Sequence, residues 1–438
     1  MEWHIVLFLY LACLIVIMFT GLPVAFSFFV VSGVAIFGML GEGGLLQWIL
    51  GMQSQISNFN FTPIPFFVIM GEVFFRSGII TRTMDALSIL VRRVPGRLSV
   101  ITLLGGGIFA ALSGSSLANT AMFGSLMMPE MERRGYSREL TTGSIMASGA
   151  LAMIIPPSNQ VVMMGGIASI SVPKILIGAI IPGVLMLVFY IGYVIISCIR
   201  NPNLAPSIDD EVVSDITSSQ KIKTFVSDIV PLLSIFVIVI AVIFTGVGTA
   251  TEAAAFGALA AYVLAMAYKR FNFKLLVDTL MGSLKTTTML MLIIAASSGF
   301  SQVLSFTGAS RKAVMYVTDA ISSPVLIMVA MMVIAFILGL FIEQAAIMMI
   351  CLPLFMPLVY AFEIDVIWFS VLFLILLQVG QFTPPVGMSL FVMKSVSPPT
   401  VTMQHIIRGA IPFLIIDVIV VLIIGLIPGL ATFLPNLI

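Results

Sequence analysis

The sequence predicts an all-α polytopic membrane protein made of two inverted repeats, each holding a re-entrant hairpin and a helix broken at Pro-Pro. Three observations carry that prediction. Hydrophobic residues make up 60% of the chain and charged residues 9%, whereas a soluble globule is about a quarter charged. Two long apolar runs share their punctuation: Pro129 and Pro156 recur as Pro357 and Pro384, and 357 less 129 and 384 less 156 both give 228. Each run is also interrupted by small or polar residues, at Ser113 to Ser116 and at Gly339 to Gln344. Interrupted backbone at membrane depth needs protein or a water-filled cavity to satisfy its freed N–H and C=O groups. Paired interruptions at matching positions of two halves mark a transporter's binding site.

The elements follow in order. No charge or histidine occurs from Ile5 to Gly41, about twice the ~20 residues of one crossing, and Gly21-Leu22-Pro23 divides the run into two spans. Met1-Glu2-Trp3-His4 lacks the basic region of a signal peptide and no small-residue cleavage site follows, so the first stretch reads as retained. Leu45 to Phe59 is more mixed and reads as interfacial, and Pro63 to Phe75 opens a third span. Arg76, Arg82, Arg92, Arg93 and Arg97 flank an amphipathic surface helix. Leu98 to Pro129 is too short for a full span and a full return, so residues 98–134 read as a hairpin with its tip at Ser113 to Ser116. Residues 140–173 form a crossing unwound at Pro156-Pro157, and Ile175 to Ile199 ends the first repeat, residues 1–199.

Residues 200–224 are the long polar segment and serve as the linker. In the second repeat, residues 225–438, Ile229 to Phe244, Ala253 to Ala267 and Thr286 to Phe306 are spans, and Arg311 to Ile321 is interfacial. The second hairpin occupies residues 324–362, the second broken helix residues 366–396, and Ala410 to Leu430 closes the chain. Further pairs, Thr20-Gly21 with Thr245-Gly246, Gly71 with Gly299 and Gly78 with Gly308, keep the register within a few residues, which argues for duplication. Five crossings per repeat invert the second half. With the N-terminus outside, 17 of the 20 basic residues fall on the inner side and only Lys174, Arg311 and Lys312 outside, as the positive-inside rule requires. Both termini are then external, and the two hairpins open from opposite sides.

The chemistry concentrates at the interruptions. Ser113, Gly114, Ser115, Ser116 and Asn119 bring hydroxyl and amide groups to exposed helix ends, which offer carbonyls to cations and N–H groups to anions. Gly105, Gly106 and Gly107 read instead as helix-packing residues. Pro156-Pro157-Ser158-Asn159 and Thr383-Pro384-Pro385 remove helix donors and free carbonyls upstream. Glu343 lies at the second tip and is the foremost intramembrane ionisable candidate. Glu252 reads as a helix cap, and Glu72 is spaced for a helical ion pair with Arg76. Asp417 sits in the last span without a partner evident in the sequence.

Composition also excludes. The net charge of +1, with no basic run interleaved with aromatics, gives no sign of nucleic-acid binding. Cys13, Cys198 and Cys351 are isolated, and the histidines are His4 and His405 alone. Without a P-loop or HExxH, the chain reads as neither an enzyme nor an ATPase, with no cofactor. Its energy must come from an ion gradient or a partner.

The ordered set Thr20-Gly21-Leu22-Pro23, Leu112-Ser113-Gly114-Ser115-Ser116, Pro129-Glu130-Met131, Arg134-Gly135-Tyr136, Ile155-Pro156-Pro157-Ser158, Thr249-Ala250-Thr251-Glu252-Ala253-Ala254-Ala255, Gly339-Leu340-Phe341-Ile342-Glu343 and Thr383-Pro384-Pro385-Val386-Gly387 resembles the large membrane subunit of tripartite ATP-independent periplasmic (TRAP) transporters. The resemblance implies an elevator-type secondary transporter in a bacterial inner membrane. It implies sodium as coupling ion, a four-helix small membrane subunit, and a periplasmic binding protein that delivers a small organic acid, such as a C4-dicarboxylate or sialic acid. One sodium/substrate site is implied at Ser113, Gly114, Ser115, Ser116, Asn119, Gly149, Pro156, Ser158 and Asn159. The other is implied at Gly339, Glu343, Gln344, Gly380, Thr383 and Pro384. Ala152 stands where the family usually has glycine, and Glu343 where aspartate is more frequent. A stand-alone sodium/carboxylate symporter of the same architecture and a passive channel are the alternatives.

Overall fold

The computed structural model describes residues 3–91, 93–113, 115–206 and 222–438, and every regular element among them is helical. Gly114, Arg92 and linker residues 207–221 lie outside the described residues, as does the side chain of Ser113.

Two layers separate by burial. In Arg138–Ala168, 94% of the most apolar 18-residue stretch is buried, against 33% in Val24–Ile56, 28% in Ile222–Phe244 and 33% in Met403–Leu426. Helices with one exposed apolar stripe belong at the lipid boundary, and a helix buried all round belongs inside. The hairpins and broken helices form the inner body, with Pro324–Gly339 at its edge, where Val325, Val329, Val333 and Ile337 are exposed.

The outer layer is held by long helices crossing between the halves. Val24–Ile56, 33 residues, packs along Phe273–Thr307, 35 residues, while Pro63–Arg76 packs against Ala250–Ala267. Gly299 allows the first contact, since a Cβ there would lie 2.4 Å from the Ser32 Cβ. One boundary differs from the sequence expectation: the third span of the second half starts at Phe273, ahead of Thr286. Within Val24–Ile56 the helical path breaks at Gly41, φ 61° and ψ −151°, a conformation a glycine adopts without Cβ penalty, so the stretch read as separate from Leu45 onward is set off by a kink. The amphipathic helix is Ile79–Leu90, bent 66° from the helix before it at Gly78, φ 71°.

In the inner body the second hairpin arms and the N-terminal pieces of the broken helices repeat to the residue. The first hairpin is Arg97–Ser113 and Ser116–Arg133, and the second is Pro324–Gly339 and Gln344–Ala361. The broken helices are Arg138–Ile154 with Asn159–Ala168, and Val366–Phe382 with Met388–Val396. Subtracting 116, 133, 138 and 154 from 344, 361, 366 and 382 gives 228 each time. The turn after each hairpin is also matched, with positive φ at Gly135 (78°) and at Glu363 (52°). An arm of 17 residues is about 25 Å long, short of the ~30 Å hydrocarbon core.

The halves interlock. The second arm of each hairpin packs against the C-terminal piece of the other half's broken helix: Ser116–Arg133 against Met388–Val396, and Gln344–Ala361 against Asn159–Ala168. The two N-terminal pieces, Arg138–Ile154 and Val366–Phe382, touch each other between them.

Candidate functional site

Each hairpin tip meets the break of its own half, because paired glycines and small residues let the backbones close. In the first unit Gly106 packs on Ser148, where a Cβ would stand 2.2 Å from the serine Cβ. Asn119 ties the pieces together, its Nδ2 donating to the Gly106 carbonyl at 3.3 Å and to the Ser148 carbonyl at 2.8 Å. Ser115 caps the second arm by accepting from the Ala118 N–H at 3.3 Å.

Around this frame lie oxygens held away from solvent. A Cβ on Gly149 would meet Thr120 Oγ1 at 2.1 Å and the Ser116 carbonyl oxygen at 2.9 Å, so both oxygens converge on that glycine. The hydroxyls of Ser116, Thr120 and Ser158 and the Asn119 Oδ1 are buried without a protein hydrogen-bond partner. Pro156 and Pro157 supply no N–H to the carbonyls four residues before them, those of Ala152 and Met153. Neutral oxygen donors beside unwound backbone are the donor set that transporter sodium sites use, and these residues fit such an ion. Asn159 is buried at the start of the C-terminal piece.

The second unit has the same backbone and different groups. Gly339 and Gly380 meet face to face, and a Cβ on Gly380 would fall 2.7 Å from the Gly339 Cα. Glu343, at the position of Ser115, accepts from the Ala345 N–H at 3.0 Å and caps the second arm. Gln344 Nε2 donates to Gln378 Oε1 at 3.4 Å, and the Gly387 N–H donates to the Leu340 carbonyl at 3.4 Å, joining break to tip. Thr383 turns its hydroxyl back onto the Val379 carbonyl at 2.7 Å, and its N–H takes the Gly380 carbonyl at 3.1 Å. Pro384 and Pro385 form the break, and the Pro156-Pro157 and Pro384-Pro385 bonds are both cis.

Among the described residues, the sequence-predicted ones lie at the two tips and breaks, except Glu252, while Gly114 and the Ser113 side chain lie outside the described residues. Glu252 closes a capping box on the exposed end of Ala250–Ala267, where its carboxylate accepts from the Thr249 N–H at 2.7 Å. Sequence reasoning missed Thr120, Gln378, Gln381 and Ser389. Gln381 is buried with both ends of its amide unpartnered, and the Ser389 hydroxyl is buried and unpartnered too. The available signal was two glutamines three residues apart, on one face of an otherwise apolar helix. Asp417 is fully buried and accepts a hydrogen bond from the Tyr190 hydroxyl.

A cavity of about 640 Å³ opens between the outer layer and the first hairpin. Glu72, Thr81 and Thr286 line it from the outer layer, and Ser115 and Ser125 from the hairpin. Arg76 Nε lies 2.5 Å from the Glu72 carboxylate.

Residues 11–430 match the family described as tripartite ATP-independent periplasmic transporter, DctM component. The chain belongs to that family. It is the large permease component of a three-part transporter and crosses the membrane several times. The C4-dicarboxylate TRAP transporter large permease protein DctM of Pseudomonas aeruginosa is 30% identical over 86% of this chain and 87% of its own length. The sialic acid TRAP transporter permease protein SiaT of Haemophilus influenzae is 26% identical over 98% of this chain and 68% of its own. Among solved structures, the YdaH transporter of Alcanivorax borkumensis superposes with a TM-score of 0.64 at 12% identity, over 89% of this chain and 90% of that one. That likeness concerns the fold.

Proposed function

We propose that this large TRAP permease subunit carries out sodium-coupled uptake of a small organic acid by elevator-type alternating access. The observation that carries the reading is the pair of tip-and-break units, repeated at 228 residues, with unpartnered oxygens buried at the first. Sodium binds at Ser116, Asn119, Thr120 and the Gly149 backbone, and a second ion binds among the Gly339 to Gln344 tip and the Gly380 to Thr383 carbonyls. The interlocked hairpins and broken helices move as one body against the long outer helices, which hold their place in the bilayer. A small membrane subunit covers part of the outer layer, and a periplasmic binding protein delivers the acid. Both termini face the periplasm of a bacterial inner membrane. The cargo belongs to the acids named for the relatives, a C4-dicarboxylate, sialic acid or a related carboxylate.

Reconstitution in liposomes with the small subunit and a matched binding protein tests this. Accumulation of the acid above its external concentration under an inward sodium gradient is expected, and Ser116→Ala should weaken its sodium dependence. Equilibration indifferent to sodium would sink the reading in favour of a passive pore. Accumulation that needs no binding protein would make the chain a stand-alone symporter.

A further inference from the structure

Asp417 is an intramembrane acid that neither tip-and-break unit uses. It is fully buried, and so is Tyr190, whose hydroxyl donates to its Oδ1. Its Oδ2 is buried without a hydrogen-bond partner. An ionisable side chain inside a span is a functional candidate by default, yet among the described residues no cation is placed to face this one. Of the helices packed on Met403–Leu426, Val366–Phe382 and Gly429–Thr432 carry no charged residue. Those of Arg138–Ile154, Ile180–Arg200 and Met388–Val396 sit near their ends, at Arg138, Glu139, Arg200 and Lys394. On its own helix Arg408 stands nine residues earlier, about 14 Å along the axis, and His405 lies farther still. The pair also has a place in the duplication. Adding 228 to 190 gives 418, so Tyr190 and Asp417 stand one residue from equivalent positions of the spans that close the two halves.

Both closing spans seat the first broken helix. A Cβ on Gly143 would lie 2.3 Å from the Gly409 carbonyl oxygen, so Met403–Leu426 supports the helix ahead of Gly149. A Cβ on Gly183 would lie 3.0 Å from Ile155 Cγ1 and 3.2 Å from Ile154 Cγ2, so Ile180–Arg200 supports the break. Between these two supports in the chain lie Gly149, on which Thr120 Oγ1 and the Ser116 carbonyl converge, and the Ala152 and Met153 carbonyls that Pro156 and Pro157 leave without a helical donor. From this arrangement we infer that Tyr190 and Asp417 are positioning residues for the first sodium site. Their hydrogen bond fixes the spacing of the two supports, and with it the aim of the oxygens held between them. The role needs an acceptor oxygen at position 417, not a charge. The inference rests on the sodium reading of the first unit.

The test measures, for the chain with its small subunit in lipid nanodiscs, the sodium concentration that gives half of the full sodium-induced rise in thermal midpoint. Tyr190→Phe keeps the ring against Phe413, 5.3 Å between centroids, and removes only the donor. It should raise the half-maximal sodium concentration about five-fold, the loss of one hydrogen bond, and Asp417→Leu should raise it at least as much. Asp417→Asn keeps an oxygen for the tyrosine hydroxyl and should stay within about two-fold of wild type. Paired with Ser116→Ala, Tyr190→Phe should add little, whereas paired with Gln344→Ala in the second unit the two effects should multiply, as independent sites do. A lower midpoint for Tyr190→Phe at an unchanged sodium concentration would make the bond a prop and overturn the inference. So would an Asp417→Asn variant as impaired as Asp417→Leu, which would show that the charge is needed. Absence of any sodium response in wild type would overturn the sodium reading itself, and this inference with it, before any variant is compared.

Discussion

The two tip-and-break units have one backbone and two chemistries. At equivalent positions Ser115 faces Glu343 as arm cap, Ser116 corresponds to Gln344, Asn119 to Ile347, Ala150 to Gln378, Ala152 to Gly380 and Met153 to Gln381. The first unit is closed by an asparagine reaching across to two carbonyls. The second is closed by glycine against glycine and by an amide pair. Duplication thus fixed the geometry of helix ends while leaving the groups at those ends free to diverge. The units are not interchangeable in the ions or cargo atoms they can hold.

The sharpest way to break this comparison is to give one unit the other's closure. Gly380→Ala installs what the first unit already has at Ala152, yet its Cβ would meet backbone and not a flexible side chain. A loss of about 3 kcal/mol is expected, read as a fall in the thermal midpoint of the purified subunit, and an unchanged midpoint would mean the glycine contact is loose. Next in size, Asn119→Leu removes both bridging hydrogen bonds, to carbonyls that keep their own helical partners, at a cost of about 2 kcal/mol. Protease protection of the first hairpin should drop while the second hairpin is unaffected; equal loss in both would show that the units are not separately closed. Gln344→Ala loses one hydrogen bond worth about 1 kcal/mol and should loosen the second hairpin alone in hydrogen exchange. Smallest, Glu252→Ala opens an exposed capping box far from both units. It should fray the start of its helix and leave binding and uptake unchanged, and altered sodium dependence would return Glu252 to the site.

Much of the inner body was legible because its signals are local. Prolines, positive-φ glycines and Ser or Asp caps act within a turn of where they stand, so hairpin tips and breaks could be placed from spacing alone. Leu45 to Phe59 was set apart for the same local reason, since Gly41 breaks the helical path just before it. The site was legible where it is backbone and illegible where it is pairing. Nothing near Gln344 announces Gln378, nothing near Asp417 announces Tyr190, and the convergence of Thr120 on Gly149 needs the two helices docked. Glu72 shows the limit from the other side. Its spacing to Arg76 correctly indicates an ion pair, but only the packed hairpin turns that pair into a wall of a chamber.

The exchange of arms between halves sets an order of manufacture. Asn159–Ala168 and Ser116–Arg133 are made early, yet each is completed by a helix from the second half, the latter only by Met388–Val396. While the ribosome is still making residues 169–343, the first half sits in the bilayer with the faces that will receive those helices uncovered, and neither half can reach its final packing alone. Synthesis must therefore run nearly to the C-terminus before Ser116–Arg133 is fully packed. Chains truncated before Met388 should be targets for membrane quality control, not half-transporters.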